Sequence, residues 1–110
     1  LPAWLSPVQA VVMTISEPQT VYAQQIVTEF RKRGIRCDCD LRNEKIGLKI
    51  RETALARVPY MLIVGGKEAE QGRVTVRDRN GESIGALLID EALDLLASRC
   101  QIPSQPAEAL

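Results

Sequence analysis

The chain has 110 residues, of which 45% are hydrophobic and 25% are charged, and its 14 basic side chains balance its 14 acidic ones. This length fits one soluble domain with a single core, and we expect neither a signal peptide nor a membrane span. Histidine is absent and cysteine occurs three times. These counts exclude Ser-His-Asp and Cys-His catalysis, and they favour a reducing cytoplasm over a disulfide framework.

The first part of the chain predicts a strand, a helix and a second strand. Residues 8–15 are almost continuously apolar and β-branched, which is typical of a central strand buried on both faces. Residues 16–19 form a capping-box pattern, and residues 22–30 repeat apolar side chains at helical spacing before the C-cap Gly34. Residues 35–41 alternate as an edge strand covered on one face does, and we expect this strand to pair in parallel with the first.

A second helix is predicted from about residue 45 to residue 57, because the Val58-Pro59 pair ends it. Residues 60–64 are all apolar and predict a third buried strand, and residues 65–68 predict a loop.

The last part of the chain predicts a hairpin followed by a helix. Asn80-Gly81 is a two-residue turn signal between strands at 73–78 and 82–87. Residues 89–100 carry an apolar stripe at helical spacing, and residues 102–110 are expected to form a flexible C-terminal tail.

These elements predict a three-layer α/β/α domain over residues 1–101. We expect a five-stranded mixed sheet in the order 2-1-3-4-5, with strand 4 antiparallel and three main helices on its two faces. Ligands of such sheets bind at the carboxyl ends of the parallel strands, where the strand order reverses. Loops near Ser16, Asn43 and residues 65–68 would flank that crevice.

Positive charge is concentrated in residues 31–57, where nine Lys or Arg face four Asp or Glu. A local field of this kind indicates an anion-binding site. A helical wheel puts Arg51 in the apolar arc of the second helix, either paired with an acid or free for a phosphate or a base. Lys45 and Lys49 fall on the opposite arc as solvated lysines. With Arg42, they would attract an RNA backbone without sequence preference.

Three further polar residues have the chemistry to read a nucleobase. Glu68 can accept hydrogen bonds from N1 and N2 of guanine, Arg77 can donate to guanine O6 or N7 or to a uracil carbonyl, and Asn43 can do both. Each also has an ordinary structural interpretation: Glu68 as an acid at a helix start, Arg77 as an exposed strand residue, and Asn43 as a turn former. The topology is expected to bring all three near one end of the sheet.

Other chemistries are less well supported by the sequence. The Gly65-Gly66 pair lacks the spacing of a Rossmann or P-loop motif, which disfavours a small nucleotide-binding enzyme. Only four aromatic residues occur, which disfavours a stacking platform. No catalytic constellation and no metal site are predicted.

The run from Asp40 to Glu52, followed by Arg57 to Met61, resembles the C-terminal anticodon-binding domain of bacterial-type threonyl-tRNA synthetases, which are class II aminoacyl-tRNA synthetases. The resemblance covers nearly the whole chain and includes its first nine residues. The prolyl-, histidyl- and glycyl-tRNA synthetases have sister domains of the same fold, but the sequence of residues 42–47 is similar only to that of the threonyl branch.

This resemblance implies that the chain reads the threonine anticodon, whose second base is guanine and third is uracil, and is not itself catalytic. The matching anticodon-reading positions are Ile15, Asn43, Lys45, Arg51, Glu68 and Arg77. The chain would then be a fragment of a cytoplasmic, homodimeric ligase that joins threonine to tRNA(Thr). That parent enzyme would use ATP, Mg²⁺ and a catalytic zinc outside these residues, and neither DNA nor a membrane would be a partner. An alternative is an accessory protein-interaction module with the same fold.

Overall fold

The computed structural model describes residues 1–102 of the chain. Short 3-10 segments at Ala3–Leu5 and Glu17–Gln19 precede the first strand and the first helix. The regular elements are β1 (Ala10–Thr14), α1 (Thr20–Lys32), β2 (Cys37–Asp40), α2 (Ile46–Leu55), β3 (Tyr60–Val64), α3 (Gly66–Gln71), β4 (Arg73–Asp78), β5 (Ser83–Leu88) and α4 (Ile89–Cys100). The predicted tail at 102–110 lies, apart from Ile102, outside the described residues.

The five strands form one mixed sheet in the order β2-β1-β3-β4-β5, as predicted. β1 pairs in parallel with β2 and β3, so that Val12 lies between Cys39 and Leu62. β4 is antiparallel to both β3 and β5. The apolar runs of β1 and β3 occupy the centre, because strands buried on both faces need apolar side chains in both directions.

Helices cover both faces of the sheet. On one face, α1 and α4 contribute Phe30 and Leu96 to a core with Val12, Leu62 and Val76. The other face carries a smaller cluster, in which α2 packs on β1 and β3; its members are Met13, Met61, Ile63, Val11, Ile46 and Ile50. Side chains of β4 and β5 that point to this second face remain partly or fully exposed; they are Arg73, Thr75, Arg77, Ser83, Ala86 and Leu88. The α2 side of the sheet is therefore open beyond β3.

The ends of α1 follow the sequence signals. Gln19 Oε1 accepts hydrogen bonds from Ser16 N and Ser16 Oγ at 3.2 and 2.7 Å, which forms the predicted capping box. Gly34 has a φ of 79°, and Ile35 N donates to Phe30 O at 3.1 Å. This left-handed glycine and its hydrogen bond end the helix and turn the chain into β2.

The predicted orientation of α2 was wrong. Its buried stripe consists of Ile46, Lys49, Ile50 and Thr53, all partly or fully buried, whereas Arg51 is exposed. Compared with the prediction, α2 is rotated about its axis. Its buried stripe follows the i, i+3, i+4, i+7 spacing and includes a lysine, because the aliphatic part of a lysine side chain can pack like an apolar residue. Ala54, although apolar, is exposed.

One further local prediction was wrong. Residues 66–71 form the short helix α3 instead of a loop, because Glu68 caps its start and Gly72, with a φ of 67°, ends it. Of the three cysteines, Cys37 and Cys100 are buried and Cys39 is exposed. Within residues 1–102, no helix has both the length and the apolar character needed to cross a bilayer.

Candidate functional site

A cleft of about 280 Å³ opens at the carboxyl edge of the sheet, between the loops that follow β1 and β2. The first loop contributes Ile15, Ser16, Glu17 and Thr20, and the second contributes Leu41, Arg42, Asn43 and Glu44. Ile15 is 48% exposed, which is unusual for a large apolar side chain at the end of a central strand. Two of the predicted anticodon-reading positions, Ile15 and Asn43, therefore line the same cleft, together with Arg42 of the predicted basic patch.

Glu68 lies on the other side of Ile15. A Cβ atom at Gly65 would be 2.7 Å from Ile15 Cδ1, so the loop after β3 packs directly against Ile15. Glu68 Oε1 accepts a hydrogen bond from Gly65 N at 2.9 Å, and Oε2 accepts none from the described residues. Ile15 thus separates the Asn43 loop from a carboxylate that has one oxygen available.

The side chain of Tyr22 lies close enough to the Glu68 carboxylate for the two to interact electrostatically. Burial raises the pKa of Tyr22, and the negative charge of Glu68 raises it further. The Tyr22 hydroxyl donates to Arg73 O at 2.7 Å, which ties α1 to the start of β4. The negative charge therefore lies at the junction of α1, α3 and β4, at the carboxyl edge.

Arg77 does not lie at this edge, and the prediction that it would was wrong. Because β4 runs antiparallel, Arg77 pairs with Met61, three residues before the end of β3. At roughly 3.3 Å per residue, this position is about 10 Å from Val64. Directly paired residues point to the same face, so the Arg77 side chain lies on the α2 side of the sheet. Its guanidinium donates to Gly81 O at 3.3 Å from Nε and at 2.8 Å from Nη2.

Most of the positive charge in residues 31–57 is engaged within the domain. Six of the nine cations donate to acids or to carbonyl groups; these are Arg31, Lys32, Arg33, Arg36, Arg42 and Lys49. Lys45, Arg51 and Arg57 have no side-chain hydrogen bond or ion pair in the described part of the chain. Lys45 and Arg51 belong to the start and the outer surface of α2.

Arg42 was predicted to extend the basic patch, but it is held by two acids. Its guanidinium contacts both Asp40 carboxylate oxygens at 2.9 Å and Glu52 Oε1 at 3.4 Å. The hydrogen bond from Arg42 lowers the pKa of Asp40. Arg42 therefore fixes the turn before Asn43, and much of its charge is offset locally.

Lys49 was predicted to be solvated, but it is only 1% exposed. Its Nζ atom donates to Thr14 O at 2.8 Å, to Thr14 Oγ1 at 3.2 Å and to Asp40 O at 3.3 Å. Sequence reasoning missed this role, although the position of Lys49 between Ile46 and Ile50 in a helical stripe was a usable signal.

The arrangement can bind an anionic ligand with polar, planar groups. It offers an apolar surface at Ile15, an amide at Asn43, a carboxylate oxygen at Glu68 and two cations on α2. Across residues 1–102, no group of three or more Cys, Asp or Glu side chains is placed to hold a metal ion. A second cleft, of about 300 Å³ near Pro7 and Val58 at the opposite edge, is mostly apolar and contains none of the predicted site residues.

Comparison with known proteins gives consistent matches. The family profile described as an anticodon binding domain matches residues 9–99. Threonine–tRNA ligases from Alkalilimnicola ehrlichii and Legionella pneumophila strain Corby are 55% identical over 98 residues and 56% identical over 96 residues. These alignments cover 89% and 87% of this chain, which spans only 15% of the length of each relative.

Solved structures extend the match to the fold. The RNA binding domain of threonyl-tRNA synthetase from Cryptosporidium parvum Iowa II aligns with a TM-score of 0.89 and 36% identity, over 96% of this chain and 26% of that chain. Histidyl-tRNA synthetase from Nostoc sp. PCC 7120 aligns with a TM-score of 0.79 and 16% identity, over 86% of this chain and 23% of that chain. The second match concerns the fold alone.

Proposed function

We propose that this chain, which belongs to the anticodon-binding domain family in its threonyl-tRNA synthetase branch, binds the anticodon loop of tRNA(Thr). The chain would be the non-catalytic, C-terminal part of a cytoplasmic, homodimeric ligase. That parent enzyme would join threonine to tRNA with ATP and Mg²⁺, and would hold its catalytic zinc outside these residues. The alternative, an accessory protein-interaction module, is not favoured by relatives that are ligases.

The observation that carries the proposal is the position of Ile15 between Asn43 and Glu68. RNA is read in single-stranded loops, where unstacked bases offer a flat face and a polar edge. The exposed Ile15 side chain suits the face of a base, and the flanking amide and carboxylate suit its edge. The carboxyl edge therefore presents both kinds of contact within one surface.

Glu68 is assigned to the guanine of the anticodon. Its Oε1 atom is held by Gly65 N, which fixes the orientation of the carboxylate. The Oε2 atom would then accept from the N1 and N2 groups of guanine, which adenine cannot supply in the same pattern. Asn43, across Ile15, is assigned to the uracil edge because it can donate and accept.

The remaining positions would hold the rest of the loop. Lys45 and Arg51 have no partner in the described part of the chain, so their charges are available for phosphate or base oxygens. Arg77 would contact the same RNA loop, at the point where the RNA crosses the α2 side of the sheet. Positions on two surfaces fit a loop that bends around the edge of the sheet.

Fluorescence polarisation with labelled anticodon stem-loops tests this function. We expect a loop with the threonine anticodon to bind more tightly than the same loop with adenine in place of the middle guanine. The preference should be about 5- to 150-fold, since one good base contact contributes roughly 1–3 kcal/mol. It should persist at low and physiological salt, because it depends on hydrogen bonds. Equal affinities at both salt concentrations would leave only electrostatic attraction and contradict the proposal.

A further inference from the structure

Lys49 is the only charged residue that is buried in the described part of the chain. Its Nζ atom has three N–H groups, and three oxygen acceptors surround it. Those acceptors belong to Thr14 and Asp40, the last residues of β1 and β2. One side chain of α2 therefore joins the two strand ends from which the loops of the cleft begin.

The first loop is fixed on both sides of one peptide group. Lys49 Nζ donates to the carbonyl oxygen of Thr14 at 2.8 Å. The N–H group of the same peptide, on Ile15, donates to Val64 O at 3.0 Å. With both polar atoms of the peptide bonded, the direction in which the Ile15 side chain leaves the sheet is set.

The second loop is held in a similar way. Lys49 Nζ donates to Asp40 O at 3.3 Å, and Asp40 Oδ1 accepts from Arg42 N at 3.3 Å. This turn leads directly to Asn43. Lys49 is thus the residue that connects the backbone before Ile15 with the backbone before Asn43.

The buried charge makes no direct ion pair among residues 1–102, although the Asp40 carboxylate is near enough that Lys49, after Arg42, helps to lower its pKa. No carboxylate of this part of the chain lies within 4.0 Å of the Lys49 ammonium. Burying a charge without an ion pair is costly, and an apolar side chain would fill the same space without that cost. An apolar side chain would, however, leave the carbonyl groups without this donor and the two loops unjoined.

We propose that Lys49 is a positioning residue for base recognition, which fixes the separation of Ile15 and Asn43 across the cleft. The inference rests on the proposed anticodon-binding function and adds a residue that touches no RNA. Because Nζ is not accessible to phosphate, Lys49 should affect which RNA is bound more than how strongly any RNA is attracted. This effect is opposite to that of a solvated lysine.

The test compares Lys49→Met with Lys32→Met. Both variants lose one positive charge, but Lys32 is exposed on α1 and pairs with Glu29. Stem-loops with guanine or adenine at the middle anticodon position are titrated at several salt concentrations. For Lys49→Met we expect the guanine preference to fall about tenfold, with the slope of log Kd against log salt unchanged. Lys32→Met should leave the guanine preference unchanged.

A second variant and a second measurement keep the test decisive. Thr14→Val removes one of the three acceptors at nearly constant volume, and we expect a fall in preference of about two- to threefold. In the RNA-free protein, Lys49→Met should speed hydrogen exchange at the Ile15 and Arg42 amides about tenfold relative to Phe30.

Three results would overturn the positioning role. An unchanged preference with a smaller salt slope would make Lys49 a general cation, and an unchanged preference with an unchanged slope would make it purely structural. Unchanged exchange at Ile15 and Arg42 would show that Lys49 does not hold the loops. If the unsubstituted chain does not discriminate between the stem-loops, the proposed function fails, and the exchange rates then decide the positioning role alone.

Discussion

Replacing Glu68 by glutamine changes one atom at the centre of the proposed site. The glutamine carbonyl oxygen can keep the hydrogen bond from Gly65 N, so the start of α3 is preserved. The second oxygen becomes an NH₂ group, which places a donor opposite the N1 and N2 donors of guanine. One charge-assisted hydrogen bond contributes roughly 1.5–3 kcal/mol. We therefore expect the guanine preference to fall by about 2 kcal/mol, or roughly 30-fold.

Glu70→Gln is the matched control, because Glu70 lies exposed on the same short helix and carries the same charge. Both variants should unfold within about 1 kcal/mol of the original chain, since Glu68→Gln loses only a favourable charge at the helix start and Glu70 is an exposed residue near the end of the same helix. Affinities for the guanine and adenine stem-loops are measured by polarisation at one salt concentration. If Glu68→Gln weakens both RNAs equally, or if Glu70→Gln lowers the preference as much, the assignment of Glu68 to guanine is refuted.

Three further predictions concern other parts of the domain. Arg51→Ala should reduce the salt slope of RNA binding by about one ion without changing stability. Arg33→Ala, which removes an ion-paired cation at the C-cap of α1, should reduce the slope less, and equal slopes would contradict a role for Arg51. Arg57 has a φ of 59°, a left-handed conformation that is strained for a residue with a Cβ atom. Arg57→Gly should therefore raise Tm by roughly 2–6 °C in a calorimetric scan, and a lower Tm would show that no strain is relieved. Gln9 is buried, and its side chain bonds to backbone groups of Ala3, Arg36 and Cys100. Gln9→Ala should therefore lower the urea-derived free energy of unfolding by about 3 kcal/mol, and a loss below 1 kcal/mol would contradict a stabilising role for these three hydrogen bonds.

The architecture could be predicted from the sequence because its signals are strong and local. Continuous apolar runs at β1 and β3 fix the two central strands, and alternation at β4 fixes a strand that is buried on one face. The capping box at Ser16 and the glycine at position 34 mark where α1 begins and ends. Each signal depends on a few neighbouring residues, so tertiary contacts did not need to be known.

The details of the site depend on contacts that local patterns do not contain. Lys49 looked solvated because lysine is usually exposed, and only the carbonyl groups of Thr14 and Asp40 explain its burial. Arg77 was expected at the carboxyl edge. Because β4 is antiparallel to β3, however, the last residues of β4 lie beside the amino end of β3. In the apparent basic patch likewise, three cations bond to partners that are distant in sequence. Arg33 pairs with Asp94, 61 residues away, and Arg36 and Lys49 bond to groups that are 30 and 35 residues away.

Mapping the RNA on the domain tests most directly whether the carboxyl edge of the sheet is the binding surface. Backbone amide chemical shifts are recorded by NMR while the stem-loop with the threonine anticodon is added. We predict the largest changes at Ile15, Asn43, Lys45 and Glu68, with Val58 at the opposite cleft unaffected. Changes concentrated at that opposite cleft, with none at Ile15 and Glu68, would contradict the account.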